Sequence, residues 1–233
     1  MNIIVFLAIV PIYVICNYVY EKDHVKESSN ILTKLFILGI LSCFLVLILS
    51  TIEENIFPFF AQDTKDLNAT ETFIYTFFGV GIIEEFSKWT MLYFGAYKSR
   101  EYDEIYDGIV YAVFVSLGFA AFENLLYVIT SQNSLMVAGL RAVTAVPAHA
   151  CFGIVMGSFF SLAKISSKEG KTGNEILYLI LSILVPALLH AIYDYILILG
   201  NPSLLLVGLV FVIILYICCI KKIKKESNNN LLI

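Results

Sequence analysis

Gly79-Val80-Gly81-Ile82-Ile83-Glu84-Glu85-Phe86-Ser87-Lys88-Trp89 lies inside an apolar run from Thr72 to Tyr97. That run is long enough to cross a bilayer as a helix, which takes roughly 20 residues. It nevertheless carries two adjacent carboxylates and an ammonium near its middle. A charge at the centre of a spanning helix costs about 2.5–3.5 kcal/mol on insertion scales. Glu84, Glu85 and Lys88 therefore need partners on other helices or a wet cavity, and an intramembrane ionisable group reads first as a functional site.

The rest of the chain supplies a membrane setting. Of 233 residues, 59% are hydrophobic and 15% charged, against roughly 45–50% and 25% in soluble domains. The expected fold is an all-α polytopic helix bundle forming one transmembrane domain over residues 1–233, with no room for a soluble domain. Cys16, Cys43, Cys151, Cys218 and Cys219 all sit in apolar runs without a C-x-x-C pair, so they read as small hydrophobes. The run from Asn2 to Tyr20 lacks a basic leader and a small-residue cleavage site, and reads as a retained helix.

Seven spans can be marked, at about 3–20, 33–52, 72–97, 106–130, 136–163, 176–199 and 203–220. Lysine and arginine alternate with them. The first, third and fifth connections and the tail hold Lys22, Lys26, Lys34, Lys98, Arg100, Lys164, Lys168, Lys171, Lys221, Lys222, Lys224 and Lys225, whereas the other connections hold only Lys65. Cytoplasmic loops carry the excess of positive charge, so the N-terminus is expected outside and the C-terminus in the cytoplasm. The longest outer connection, Glu53–Thr70, contains Phe57-Pro58-Phe59-Phe60 and reads as an interfacial aromatic anchor.

Four consecutive spans carry residues foreign to hydrocarbon: Glu84, Glu85 and Lys88 in the third, Glu123 and Asn124 in the fourth, Arg141 and His149 in the fifth, and His190 and Asp194 in the sixth. At about 1.5 Å per residue, Glu84, Glu123, His149 and His190 fall roughly 10–20 Å below the outer surface. Acids and imidazoles from separate helices thus share one layer in the outer half. A catalytic four-helix core over 72–199 is expected, with 3–52 and 203–220 peripheral. The pairs Glu84/Lys88, Glu123/Tyr127 and His190/Asp194 are spaced i,i+4 and share helix faces. Ala145, His149, Gly153 and Gly157 form a stripe of small residues that lets helices approach closely around the histidine. Arg141, about one turn from the outer end, reads as snorkelling to the interface.

Two imidazoles with several carboxylates suit a divalent metal, most simply Zn2+, with an open position for water, and a neighbouring carboxylate can act as general base. The ligands are expected among Glu123, His149, His190 and Asp194, the last also able to orient His190, with Glu84 or Glu85 as base. Lys88, Asn124 and Tyr127 are expected to hold charge, orient the acids or stabilise an oxyanion. No H-E-x-x-H or G-x-S-x-G segment is present.

The order of these elements resembles the PrsW family of intramembrane proteases, distant relatives of the CAAX prenyl protease and bacteriocin-processing group. The matching features are E-E-x-x-K at Glu84, Glu85 and Lys88, F-x-x-x-E-N at Phe119, Glu123 and Asn124, the lone His149, and H-x-x-x-D at His190 and Asp194. They cover residues 72–199. The resemblance implies a membrane-embedded peptidase that cuts a membrane-anchored substrate on the extracytoplasmic side, the site-1 cleavage of an anti-sigma factor, and the Ile-, Lys- and Asn-rich composition points to a bacterial cytoplasmic membrane. No nucleic-acid partner is expected. The alternative is a proton- or cation-coupled transporter using the same carboxylates and histidines as a relay; a scaffold whose polar layer only fixes packing is a third reading.

Overall fold

A computed structural model of the chain describes residues 2–228 and 232, so the ends of the domain expected over 1–233 lie outside the described residues. Among the described residues nine α-helices follow one another: α1 (Asn2–Glu21), α2 (Ser29–Ile56), α3 (Ala69–Ile74), α4 (Ile83–Ala96), α5 (Asp107–Thr130), α6 (Ser134–Val143), α7 (Ala145–Lys168), α8 (Thr172–Leu199) and α9 (Pro202–Asn228). A π-helical segment, Tyr75–Ile82, joins α3 to α4. The architecture is a helical membrane bundle. Among the described residues, five segments are long and apolar enough to cross a bilayer: α2, α5, α6 with α7, α8 and α9. The apolar run from Thr72 to Tyr97 is carried by α3, the π segment and α4 in succession.

At the centre stand α5 and α7, whose pairing is the most extensive in the bundle. Their buried faces include Ile109 to Ala120 on one side and Ala148, Phe152, Met156 and Phe160 on the other. The small-residue stripe explains how close they come. A Cβ on Gly157 would lie 2.2 Å from the Gly108 carbonyl oxygen, inside backbone rather than beside a yielding side chain. By contrast, α2 and α9 present rows of exposed apolar residues such as Leu47, Ile48, Leu206 and Ile214, as lipid-facing helices do.

The fifth expected span, 136–163, lies within one spanning segment but is not a single helix: it breaks at Thr144 (φ −119, ψ −72). The cause is Pro147, which has no N–H to give to the Val143 carbonyl. Tyr216 of α9 supplies the missing donor, its hydroxyl reaching Val143 O at 3.1 Å and Thr144 O at 2.9 Å.

The alternating connections do gather on one face. Ser227 donates to the Lys22 carbonyl, Asp23 lies beside Glu104, and Lys164 and Glu175 reach the backbone carbonyl and hydroxyl of Tyr97 respectively. On the opposite face, the Glu53–Thr70 connection folds into two short 3-10 turns. Its Phe60 packs against Tyr75 with ring centroids 6.2 Å apart and covers Gly79.

Candidate active site

The π segment aims the acidic pair. An i→i+5 turn inserts an extra residue into the helical register, and such turns recur at functional sites. Here it also carries Gly81, where a Cβ would lie 2.5 Å from the Ala187 carbonyl oxygen. Only glycine lets the third span lie this close to α8. From that contact Glu85 reaches across to His190.

Glu85 and Lys88 are wholly buried and 2.7 Å apart. The same Glu85 oxygen lies 2.9 Å from His190 Nδ1, while its second oxygen has no hydrogen-bond partner. A carboxylate only accepts, so His190 donates from Nδ1 and turns Nε2 towards Asp194 at 3.3 Å and Glu84 at 3.8 Å. The Lys88 ammonium also contacts Glu84 at 3.3 Å and sits 3.9 Å from the centre of the Phe119 ring, a cation–π contact.

His149 enters from α7. The Lys88 ammonium is 3.2 Å from its Nδ1, and an ammonium only donates. The remaining proton therefore sits on Nε2, which faces the Glu123 carboxylate at 2.8 Å. Ser116 of α5 donates to the His149 carbonyl at 2.7 Å, tying this turn of α7 to the core helix. The two imidazole rings are 5.2 Å apart and perpendicular.

Arg141 is a correction. Instead of snorkelling outwards, it turns inwards: Nη2 is 2.7 Å from Glu123, Nε donates to Asn124 Oδ1 at 2.8 Å, and the guanidinium stacks 4.1 Å over Tyr127. The break at Thr144 frees α6 to fold back over α5, and the half-buried Glu123 carboxylate rewards an ion pair more than the interface does. Asn124 also donates to the Ala8 carbonyl, which brings α1 against the site. Tyr127 is 51% exposed and reaches the acids through Arg141.

Residue by residue, the geometry brings Glu84, Glu85, Lys88, Glu123, His149, His190 and Asp194 into one connected cluster across α4, α5, α7 and α8. Asn124 and Tyr127 stand behind Arg141. Sequence reasoning missed Arg141 as a site residue, and the roles of Phe119 and Ser116. Arg141 had one signal: Glu123 needed a counter-charge within the membrane.

Glu84, His149 and His190 each offer a ligand atom within 4.8 Å of the other two. Two imidazoles and one carboxylate form a donor set used by catalytic zinc sites, so these residues fit a divalent metal. Glu123 on His149 Nε2 and Glu85 on His190 Nδ1 then stand one contact further out, where carboxylates orient metal-bound imidazoles, whereas Asp194 faces the open His190 Nε2 itself.

Known proteins resemble this chain over most of its length. The family described as PrsW family intramembrane metalloprotease matches residues 27–219. The resemblance therefore reaches well beyond the expected 72–199 and takes in α2 and most of α9. A protein named Protease PrsW from Oceanobacillus iheyensis is 38% identical over 224 residues, covering 96% of each chain. Proteins of the same name from Clostridioides difficile (32% identical, 96% of this chain and 91% of the relative) and Bacillus subtilis (31%, 98% of each) are similar over comparable lengths. No solved structure matches the chain.

Proposed function

We propose a function from one premise: the chain belongs to the PrsW family of intramembrane proteases. It is thus a multi-pass membrane protease, a peptide-bond hydrolase with a protein substrate, and the transporter and scaffold readings fall away. The finer reading is a Zn2+-dependent endopeptidase of seven spans, N-terminus outside, cutting a membrane-anchored substrate such as an anti-sigma factor near the extracytoplasmic surface. The observation that carries the metal reading is the convergence of Glu84, His149 and His190, whose ligand atoms lie within 4.8 Å of one another.

Those three residues would hold the metal, which supplies a Lewis acid and lowers the pKa of a bound water. The chain's own groups do the remaining work. Glu85, with no exposed surface, holds the Nδ1 proton of His190 and anchors Lys88, so it positions rather than reacts. Asp194 keeps 23% of its side chain exposed and faces His190 Nε2, so we assign it to take the proton from the attacking water and return it to the leaving amine. Arg141 neutralises Glu123 and lies 15% exposed at the rim, where a guanidinium can stabilise a developing oxyanion.

A second reading, a metal-independent glutamate hydrolase, is favoured by one observation. Lys88 already places a cation within 3.3 Å of Glu84 and of His149 Nδ1, so the acids have a counter-charge of their own. In that reading Glu84 itself activates the water.

The deciding experiment is elemental analysis of the purified protein beside His149→Ala and His190→Ala, with cleavage of a co-expressed single-pass substrate as readout. Zinc near one per chain, lost together with cleavage in both variants, is expected. Full cleavage by zinc-free protein would discard the metal reading and leave the glutamate one.

A further inference from the structure

A second acidic cluster lies on the opposite face of the bundle, outside the protease site. Asp23 follows α1, Glu104 lies in the connection before α5, and Asp107 opens α5. Each offers a carboxylate oxygen within 4.8 Å of the others, and all three are buried, at 4%, 6% and 0% exposure. Asp23 lies more than 80 residues from the other two in sequence.

An acidic cluster is common on its own, but the two aspartates here carry unsatisfied oxygens. Both carboxylate oxygens of Asp23 and one of Asp107 are buried without a hydrogen-bond partner. The other Asp107 oxygen accepts from the N–H groups of Asp103 and Glu104 at 3.0 and 2.7 Å, which fixes the aspartate where it stands. Among the described residues, no lysine, arginine or histidine pairs with Asp23 or Asp107. The nearby Lys26 is turned away, onto Glu21 and the Tyr20 carbonyl. Glu27, a further buried acid, accepts from the Tyr111 hydroxyl at 2.6 Å and also neighbours Asp107. Buried carboxylates are otherwise paired or coordinate metals.

We propose that Asp23, Glu104 and Asp107 form a binding site for a hard divalent cation, Mg2+ or Ca2+, which ties the α1–α2 connection to the start of α5. The donors are oxygen only, with no imidazole or thiolate, and that set suits these ions rather than zinc. The same face carries Lys22, Lys98 and the basic tail, so on the expected topology the site opens to the cytoplasm, apart from the cleavage site.

The test is Mn2+ binding, followed by electron paramagnetic resonance on the full-length protein in detergent, with Mg2+ and Ca2+ as competitors. One Mn2+ per chain should be lost in Asp23→Asn and retained in His190→Ala, with at least a tenfold rise in Kd in Glu104→Gln. Asp23→Asn is the decisive variant, because it removes charge without breaking a hydrogen bond, whereas Asp107→Asn disturbs the turn before α5. Equal Mn2+ binding by wild type and Asp23→Asn, or none by either, would overturn the proposal and leave the carboxylates sharing protons.

Discussion

His190 Nδ1 lies 2.9 Å from Glu85 Oε1, although 105 residues separate them in sequence. This contact joins the two motifs that begin and end the site, and it is made inside the bundle where neither side chain meets solvent. Its partner contact, Glu85 with Lys88, makes the acid half of a buried ion pair.

Glu85→Ala should therefore fail twice. It removes the orientation of His190 and leaves the Lys88 ammonium buried without its nearest counter-charge, a loss of about 3–5 kcal/mol. Thermal unfolding in detergent should show a clear drop, together with loss of cleavage. Glu84→Ala, at a side chain 13% exposed, should abolish cleavage with a smaller loss of stability. Equal melting of the two variants would contradict the division of labour.

Asp194→Asn separates proton transfer from ligand binding. Cleavage should fall about 10²–10⁴-fold, the range for a general acid–base group, while zinc content stays at the wild-type level. Loss of zinc in this variant would move Asp194 into the ligand set.

Arg141→Ala should cost about 10-fold or more in cleavage, since a rim guanidinium contributes transition-state charge stabilisation. Arg141→Lys should recover only part of it, because a lysine lacks the fork that reaches Glu123 and Asn124 together and stacks less well on Tyr127. Initial-rate measurements on detergent-solubilised variants check this. Wild-type rates in Arg141→Ala would return the residue to the interfacial role its position suggested.

Gly157→Val tests the spine of the fold. Its side chain would drive into the Gly108 backbone, and overpacking of this kind costs about 1–3 kcal/mol or more. The expected result is a lowered melting temperature and reduced accumulation in the membrane. Gly139→Val is the control, since nothing lies within 4 Å of its added Cβ. Comparable behaviour of the two would remove the argument for close α5–α7 packing.

Much of this protein could be read without coordinates, because a bilayer imposes one-dimensional rules. Apolar runs mark helices, and charges inside them stand out against a cost of kilocalories. Helical rise places Glu84, Glu123, His149 and His190 at one depth before any contact is known. Arg141 shows where that reading stops: its depth suited the interface, yet an acid on a neighbouring helix drew it inwards. The π segment was equally hidden, since Tyr75–Ile82 has no composition that separates it from ordinary helix beyond its two glycines.

Hydropathy, charge alternation and motif order in the chain alone determined the membrane class, the protease family and the polar layer. Only the tertiary structure decided the partners: Glu85 on His190, Lys88 between two acids and a histidine, Arg141 on Glu123, and Asp23 against Glu104 and Asp107. Periodicity sets the depth and face of a side chain on its own helix, whereas a buried charge chooses among all neighbours within a few ångströms. That choice depends on how close the helices pack and where they bend, which glycine contacts and the Pro147 break settle in three dimensions.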